Sequence, residues 1–279
     1  MFQPTPYKIS TITATGGINC NIVNLDALYE SVEVIDHLDP TQTGFVFIEY
    51  GQKRGDVYCK GFHKKMLITR RKRKEGKRFD NQTTVIIRCT NSSTNMKVFK
   101  NGKVQMTGLK DGEQGRQAIK YMIDHIKNKN EAHKIIVGME LEDLGIMDYR
   151  IRLINSDFRA GIEIRRDKLH KILQHEYANI FSSYEPCIYP GVKIQFNFNA
   201  FNANNASGVC NCSGKCNGKG GGTGNGLCKK ITIAVFQSGC VIITGAQSTQ
   251  QIDLAYTFIC DILKNNAHVI LKTITASGT

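Results

Sequence analysis

The chain has 279 residues, 41% hydrophobic and 22% charged, a composition that can bury one large or two small cores and excludes disorder as its main state. Thirty-seven Lys and Arg against 24 Asp and Glu leave a formal charge of +13, so a polyanion is the first partner to expect, nucleic acid ahead of an anionic membrane. No run approaches the roughly 18–20 apolar residues of a spanning helix, and MFQPTPYKIS lacks the charged-then-apolar pattern of an export signal, which predicts a soluble, intracellular protein with no membrane role.

In chain order the elements repeat. YKISTI at 7–12 reads as a strand and returns as YRIRLI at 149–154. Residues 36–78 read as an insertion ending in HKKMLITRRKRKEGKR, with nine Lys or Arg from Lys64 to Arg78. Such a run is a solvated arm, an import signal or a grip on flanking phosphates, and the sequence leaves all three open. VFKNGKVQMTG at 98–108 then returns as VFQSGCVIITG at 235–245, at an offset of 137.

Each of these blocks is an apolar-rich run, a tight turn at Asn101-Gly102 or Ser238-Gly239, and a second run ending in Thr-Gly, which predicts a β-hairpin. Period two points Val98, Val104 and Met106 one way and Lys97, Phe99, Lys103, Gln105 and Thr107 the other. In the second block it separates Val235, Val241 and Ile243 from Ala234, Phe236, Cys240, Ile242 and Thr244. A helix follows each hairpin, with Ile119, Met122, Ile123 and Ile126 in one and Ala255, Phe258, Ile259 and Ile262 in the other, spaced i, i+3, i+4, i+7 to cover the Val side. The reading is an α+β chain built by tandem duplication, with repeats at 1–135 and 136–279. The opposite sheet face, which gathers Phe, Ile, Thr and Lys, is then a binding surface.

A second insertion, about 199–229, is so rich in Gly and Asn that it has no apolar core of its own, yet it holds Cys210, Cys212, Cys216 and Cys228. That clustering predicts one structural zinc ion held by four thiolates; free thiols on a flexible loop and disulfides are the alternatives. The other six Cys are scattered, as in a reducing compartment.

FSSYEPCIYPG at 181–191 resembles the FSSYEP…PG segment of the TATA-box-binding protein family, and the two VF..G.V..TG hairpins resemble that family's paired hairpins. With the duplication, the resemblance spans nearly the whole chain outside the insertions. The divergence is most similar to the TATA-binding-like proteins of large nucleocytoplasmic DNA viruses. The resemblance implies a saddle, in which two pseudo-symmetric repeats form one curved antiparallel sheet with helices on the convex face and DNA under the concave face. It also implies minor-groove binding by apolar wedges that kink the duplex, a mode of which this family is a standing example, and no catalysis.

Residue by residue, the resemblance makes Phe99 and Phe236 the second wedge of each half, with Tyr189 and Phe79 as the first wedges. It makes Thr107 and Thr244 groove-floor residues, Ile242 an apolar groove contact, and Arg88, Lys103 and Lys110 phosphate contacts. The second half departs, with Gln195, Cys240 and Gln247 at the three cation positions. The family's central Asn pair falls at Tyr7 and Leu153, and Gln105 replaces an apolar contact, which leaves sequence-selective and merely A·T-preferring binding both open. Glu185 and Ile188 match residues that meet a TFIIB-like factor, and through it the RNA polymerase machinery; a plain solvated loop is the alternative.

The function implied is that of a general transcription initiation factor on double-stranded DNA, acting in a nucleus or, for a viral protein, in a cytoplasmic viral factory or virion. Two other readings are a protein-interaction module that kept the saddle and lost tight DNA binding, and the DNA-binding part of a repair enzyme. His63, His125, His170 and His175 form no catalytic pattern, which predicts that the chain is not an enzyme.

Overall fold

The structure is a computed structural model that describes residues 2–51, 57–62, 81–89, 92–202, 205–224 and 227–272. Two compact units result, a first of residues 11–152 and a second made of the residues up to Ser10 with those from Leu153 onward. No helix among the described residues is long and apolar enough to cross a membrane.

The first unit contains most of β1 (Lys8–Ile18), then β2 (Ile22–Val23), α1 (Leu25–Ser31), β3 (Gly44–Gly51), β4 (Val57–Gly61), β5 (Gln82–Cys89), β6 (Ser92–Phe99), β7 (Lys103–Leu109), α2 (Gly112–Lys127), α3 (Ala132–Ile135), β8 (Ile136–Val137) and the start of β9 (Ile146–Arg159). Its sheet runs β1-β7-β6-β5-β3-β4, antiparallel throughout. The second unit continues from β9 into α4 (Arg166–Glu176), β10 (Ser182–Ser183), β11 (Val192–Phe198), β12 (Lys229–Val235), β13 (Cys240–Ala246), α5 (Thr249–Asn265) and α6 (Ala267–Ile270). Its sheet runs β10-β11-β12-β13-β9, again antiparallel.

The alternation read from the hairpins is the alternation observed. Val98, Val104 and Met106 are buried, as are Val235, Val241 and Ile243, while Phe99, Lys103, Gln105, Thr107, Phe236, Ile242 and Thr244 all keep solvent exposure. Ala234 is the exception, since its methyl is too short to clear its neighbours and stays 4% exposed. The helical stripes supply the other half of each core: Ile119, Met122, Ile123 and Ile126 from α2, and Ala255, Phe258, Ile259 and Ile262 from α5. Each fully buried large side chain contributes roughly 1.5–3 kcal/mol relative to exposure.

The two long helices begin alike. Asp111 accepts from the amide of Gln114 at 2.8 Å, and the Gln114 side chain accepts back from the amide of Lys110 at 2.8 Å. Ser248 and Gln251 repeat the arrangement with the amide of Gln247, so orphan N–H groups of both first turns are satisfied reciprocally. Each hairpin turn is closed by a hydrogen bond of 3.0 Å from the Gly amide to a Phe carbonyl, Gly102 to Phe99 and Gly239 to Phe236. Both glycines have φ near +74° (+73° and +74°), and a Cβ would stand 2.6 Å from the Ile18 carbonyl oxygen at Gly102 and 2.2 Å from that of Ile162 at Gly239. Only Gly fits either turn.

The compact units do not coincide with the repeats expected at 1–135 and 136–279: residues 136–152 pack with the first unit, where β8 pairs with β2 and Tyr149 donates to the Gly112 carbonyl at 2.6 Å. Residues up to Ser10 belong to the second unit, where Tyr7 donates to Asp253 at 2.6 Å and Tyr256 donates to the Thr5 carbonyl at 2.9 Å. Within the expected first insertion, 36–78, FVFIEY forms β3, paired with β5 and buried at Phe45, Phe47, Ile48 and Tyr50. The basic run Lys64 to Arg78 lies outside the described residues.

Candidate nucleic-acid interface

In both units the sheet face opposite the helices gathers the residues singled out from the sequence. Phe99 and Phe236 each open a hairpin turn and are half-buried at its tip, the position from which a rigid ring can project past the strands. Tyr189 meets Phe236 edge-on, with ring centroids 5.7 Å apart and planes at 63°. Gly191 makes room for the pair, since a Cβ there would lie 2.9 Å from the Tyr189 ring and 3.2 Å from the Phe236 ring. Phe79 lies outside the described residues.

The segment that carries Tyr189 is held at several points. The Glu185 carbonyl accepts from the amides of Ile188 and Tyr189 at 2.9 and 2.8 Å, a compact turn that leaves Ile188 85% exposed and Glu185 exposed beside it. Arg166, from the first turn of α4, donates to the Pro190 carbonyl and, at 3.3 Å, to Gln237 in the Phe236 hairpin, and its guanidinium lies 5.3 Å from the Tyr184 ring centre.

Of the expected groove residues, Thr107 is exposed and Ile242 half-buried. The Thr244 hydroxyl is engaged with the Asn155 side chain. Lys103 and Lys110 are exposed on the first unit. Arg88 is otherwise employed: its guanidinium donates to the carbonyls of His37, at 2.8 Å, and Asp39, so it clamps the chain before β3.

The strand ladders also correct the pairing of positions between repeats. Thr84 faces Lys97 and Lys193 faces Ala234, so Arg88 corresponds to Asn197, one pleat beyond Gln195. Ile12 faces Leu109 and Ile154 faces Ala246, which matches Leu153 with Thr11 and Tyr7 with Tyr149; Tyr7 and Leu153 are not a symmetric pair. Burial, and then the hydrogen bond to Asp253, push the Tyr7 hydroxyl up to about 12, consistent with a packing role. Lys193 was not singled out from the sequence, although it shares the parity of Gln195. Its ammonium lies 4.4 Å from the Tyr189 ring centre, a cation beside the aromatic pair.

The second insertion is ordered over its described residues by hydrogen bonds to the sheet, to α5 and within itself. Asn197 donates to the Gly208 carbonyl at 2.9 Å, Ala200 to Gly222 at 2.8 Å and Lys230 to Gly218 at 2.8 Å, while the Gln251 side chain reaches Gly221 at 3.3 Å. The sulfurs of Cys210, Cys212, Cys216 and Cys228 all lie within 4.8 Å of one another, and the Cys228 sulfur is 3.4 Å from that of Cys212 and 3.6 Å from that of Cys210. The Cys228 amide donates to the Cys216 sulfur at 3.3 Å. Burial opposes ionisation of Cys216, but the amides of Gly218 and Cys228 and the Cys212 and Cys210 thiols outweigh it and bring this thiol down to about 7; burial pushes Cys228 up. Four thiols so placed can hold a metal ion.

A profile of the family described as transcription factor TFIID (or TATA-binding protein, TBP) matches residues 67–129 and 149–266, well over half of the chain. The chain belongs to the TATA-binding protein family. A protein of Acanthamoeba polyphaga mimivirus named TATA-box-binding protein-like is 31% identical over 267 residues, covering 92% of this chain and 64% of its own length, so the match spans less than two thirds of that viral relative. Methanococcus jannaschii TBP shares the fold, with a TM-score of 0.50 at 18% identity over 94% of this chain and 99% of the archaeal one. The α+β architecture, the large antiparallel sheet with helices, and the likeness to divergent viral members thus stand as read from the sequence.

Proposed function

We propose that this chain is a DNA-binding transcription factor that enters the minor groove of A·T-rich duplexes and bends them as a step in initiation. The observation that carries the reading is the paired placement of Phe99 and Phe236, half-buried at equivalent hairpin tips on the face that the helices leave open. An apolar ring at a strand tip can part a base step, and the unstacking is offset by the wider contact that a bent duplex makes. Thr107 and Ile242 fit the groove floor, and Lys103, Lys110 and Lys193 fit the phosphates. Glu185 and the protruding Ile188 offer a contact for a TFIIB-like partner, with the polymerase machinery beyond it. Anisotropy titration of a labelled A·T-rich duplex, with fluorescence transfer between its ends for bending, tests this. Submicromolar binding with bending supports it, and binding without preference for duplex A·T sites removes it. The use of Arg88 within its own unit favours a second reading, a protein-interaction module with weakened DNA affinity, and the same titration separates the two.

For the four cysteines the reading is a structural zinc site. Bonds of about 2.3 Å in a tetrahedron set sulfur separations of about 3.8 Å, close to the 3.4 and 3.6 Å spacings at Cys228. Cys210, Cys212, Cys216 and Cys228 would hold the ion, which supplies a crosslink and no chemistry at the DNA.

A further inference from the structure

The start of β9 puts two arginines that the sequence reading passed over beside Phe99. Residues 149–152 belong to the first unit. Tyr149 and Ile151 turn toward α2, Tyr149 bonding to Gly112 and Ile151 lying 3.4 Å from where a Gly112 Cβ would be. Arg150 and Arg152, at the other parity, are therefore exposed on the open face. There they join Lys103, Gln105 and Phe99 in lining one recess of about 480 Å³. The Nε of Arg152 donates to the Thr15 hydroxyl at 2.7 Å, which fixes the plane of its guanidinium, and Arg150 is steadied by Asp148 at 3.6 Å. Asp148 is the one acid in this lining against three cations.

The matching positions of the second unit are built oppositely. The offset of 142 that places Leu153 on Thr11 places Arg150 on Lys8, Arg152 on Ser10 and Asp157 on Thr15. There Asp157 takes up Lys8 at 3.5 Å and accepts from the Ser10 hydroxyl, and Cys240 stands where Lys103 does. One open face thus concentrates positive charge next to its wedge residue, and the equivalent place on the other carries a carboxylate.

We infer that Arg150 and Arg152, together with Lys103, form a phosphate-gripping site that fixes one DNA strand beside Phe99, an inference that rests on the DNA-binding reading above. Alternate residues of a strand are roughly 6.6 Å apart, on the scale of neighbouring phosphates in one strand, and the guanidinium fork matches phosphate oxygens in pairs. The site replaces Arg88, which is held by the His37 and Asp39 carbonyls. Asp157 and Lys8 cancel one another at the equivalent point, which has no counterpart of the Arg150–Arg152 pair, so the grip is one-sided.

The test is the salt dependence of binding of the full chain to a labelled A·T-rich duplex. Replacing Arg150→Gln and Arg152→Gln together should lower the slope of log K against log salt by about 1.8 and weaken low-salt binding at least tenfold, whereas Arg150→Lys with Arg152→Lys should retain the slope. If the parent binds and the Gln pair keeps its slope and affinity, this inference is overturned while the DNA-binding reading stands. If the parent does not bind DNA, both fall. Should thermal unfolding show the Gln pair to be misfolded, Arg150→Gln alone decides, since Arg150 is held only by the exposed Asp148 among the contacts described. Its slope should fall by about 0.9, and an unchanged slope overturns the site.

Discussion

Replacing Phe236 by Ala separates the two roles its ring plays. Against Tyr189 it forms an edge-to-face pair, and it fills the space left by Gly191, so truncation removes a contact of about 0.5–1.5 kcal/mol from the free protein. As a wedge it should also remove roughly 1–3 kcal/mol from binding, about 5- to 150-fold in affinity, taking base stacking on an aromatic side chain as the nearest measure. Phe99 has no such ring partner among the contacts described, so Phe99→Ala should reproduce the binding loss with almost no loss of stability. A double-mutant cycle over Tyr189→Ala and Phe236→Ala, read once by thermal unfolding and once by anisotropy, apportions the two effects. End-to-end transfer on a labelled duplex should register a smaller bend for every one of these variants. If Phe236→Ala weakens binding only by as much as it lowers the folded fraction, and the bend of bound DNA is unchanged, the wedge argument fails.

Removing metal with a chelator, or replacing Cys212→Ser and Cys228→Ser, should release the loop that three backbone-carbonyl bonds tie to β11, β12 and α5 and destabilise the second unit by about 1.5–4.5 kcal/mol; one zinc per chain in protein purified under reducing conditions is the companion measurement, and a content near zero removes the site. Arg88→Gln should destabilise the first unit by about 1–3 kcal/mol through the His37 and Asp39 carbonyls yet leave the salt slope of DNA binding untouched, as read by unfolding and titration. His125 is held down to about 4 by burial and then by Lys129, against the pull of Glu33, so the unfolded chain takes up its proton first as pH falls. Stability from this group is therefore complete above about pH 6.5 and drains away toward pH 4, and His125→Gln should flatten the unfolding profile across that window.

The hairpins were legible because period two and a turn glycine are local signals: Val98, Val104 and Met106 against Phe99 and Lys103 needed no knowledge of the partner strands. The helices were legible for the same reason. β3 escaped because Phe45 to Ile48 is buried without alternation, and such a run inside a region ending in basic residues reads as part of the insertion. The pairing of Arg88 with Gln195 missed by one pleat because the two repeats differ in length between β3 and β5, and only the ladder counts residues across such a gap. Arg150 and Arg152 were unreadable as site residues because they belong to the second repeat in sequence yet pack with the first compact unit. Lys193 carried a usable signal, the parity of its strand, that pointed to its face but not to the Tyr189 ring.

The exchange of chain ends between units has a kinetic side. Residues 11–152 can close on themselves as soon as they exist, across spans such as that from Thr15 to Arg152, 137 positions. The second unit must instead wait for contacts such as Tyr7 with Asp253 and Tyr256 with Thr5, separated by 246 and 251 positions. Closing loops of that size is slow, so a refolding experiment should resolve an early phase for the first unit and a late one for the second. During synthesis residues 2–10 would stay without their partners in β9 and α5 until those segments emerged, while the rest of β1 pairs earlier with β7. A chaperone that shields residues 2–10 would then hasten the second phase and leave the first alone.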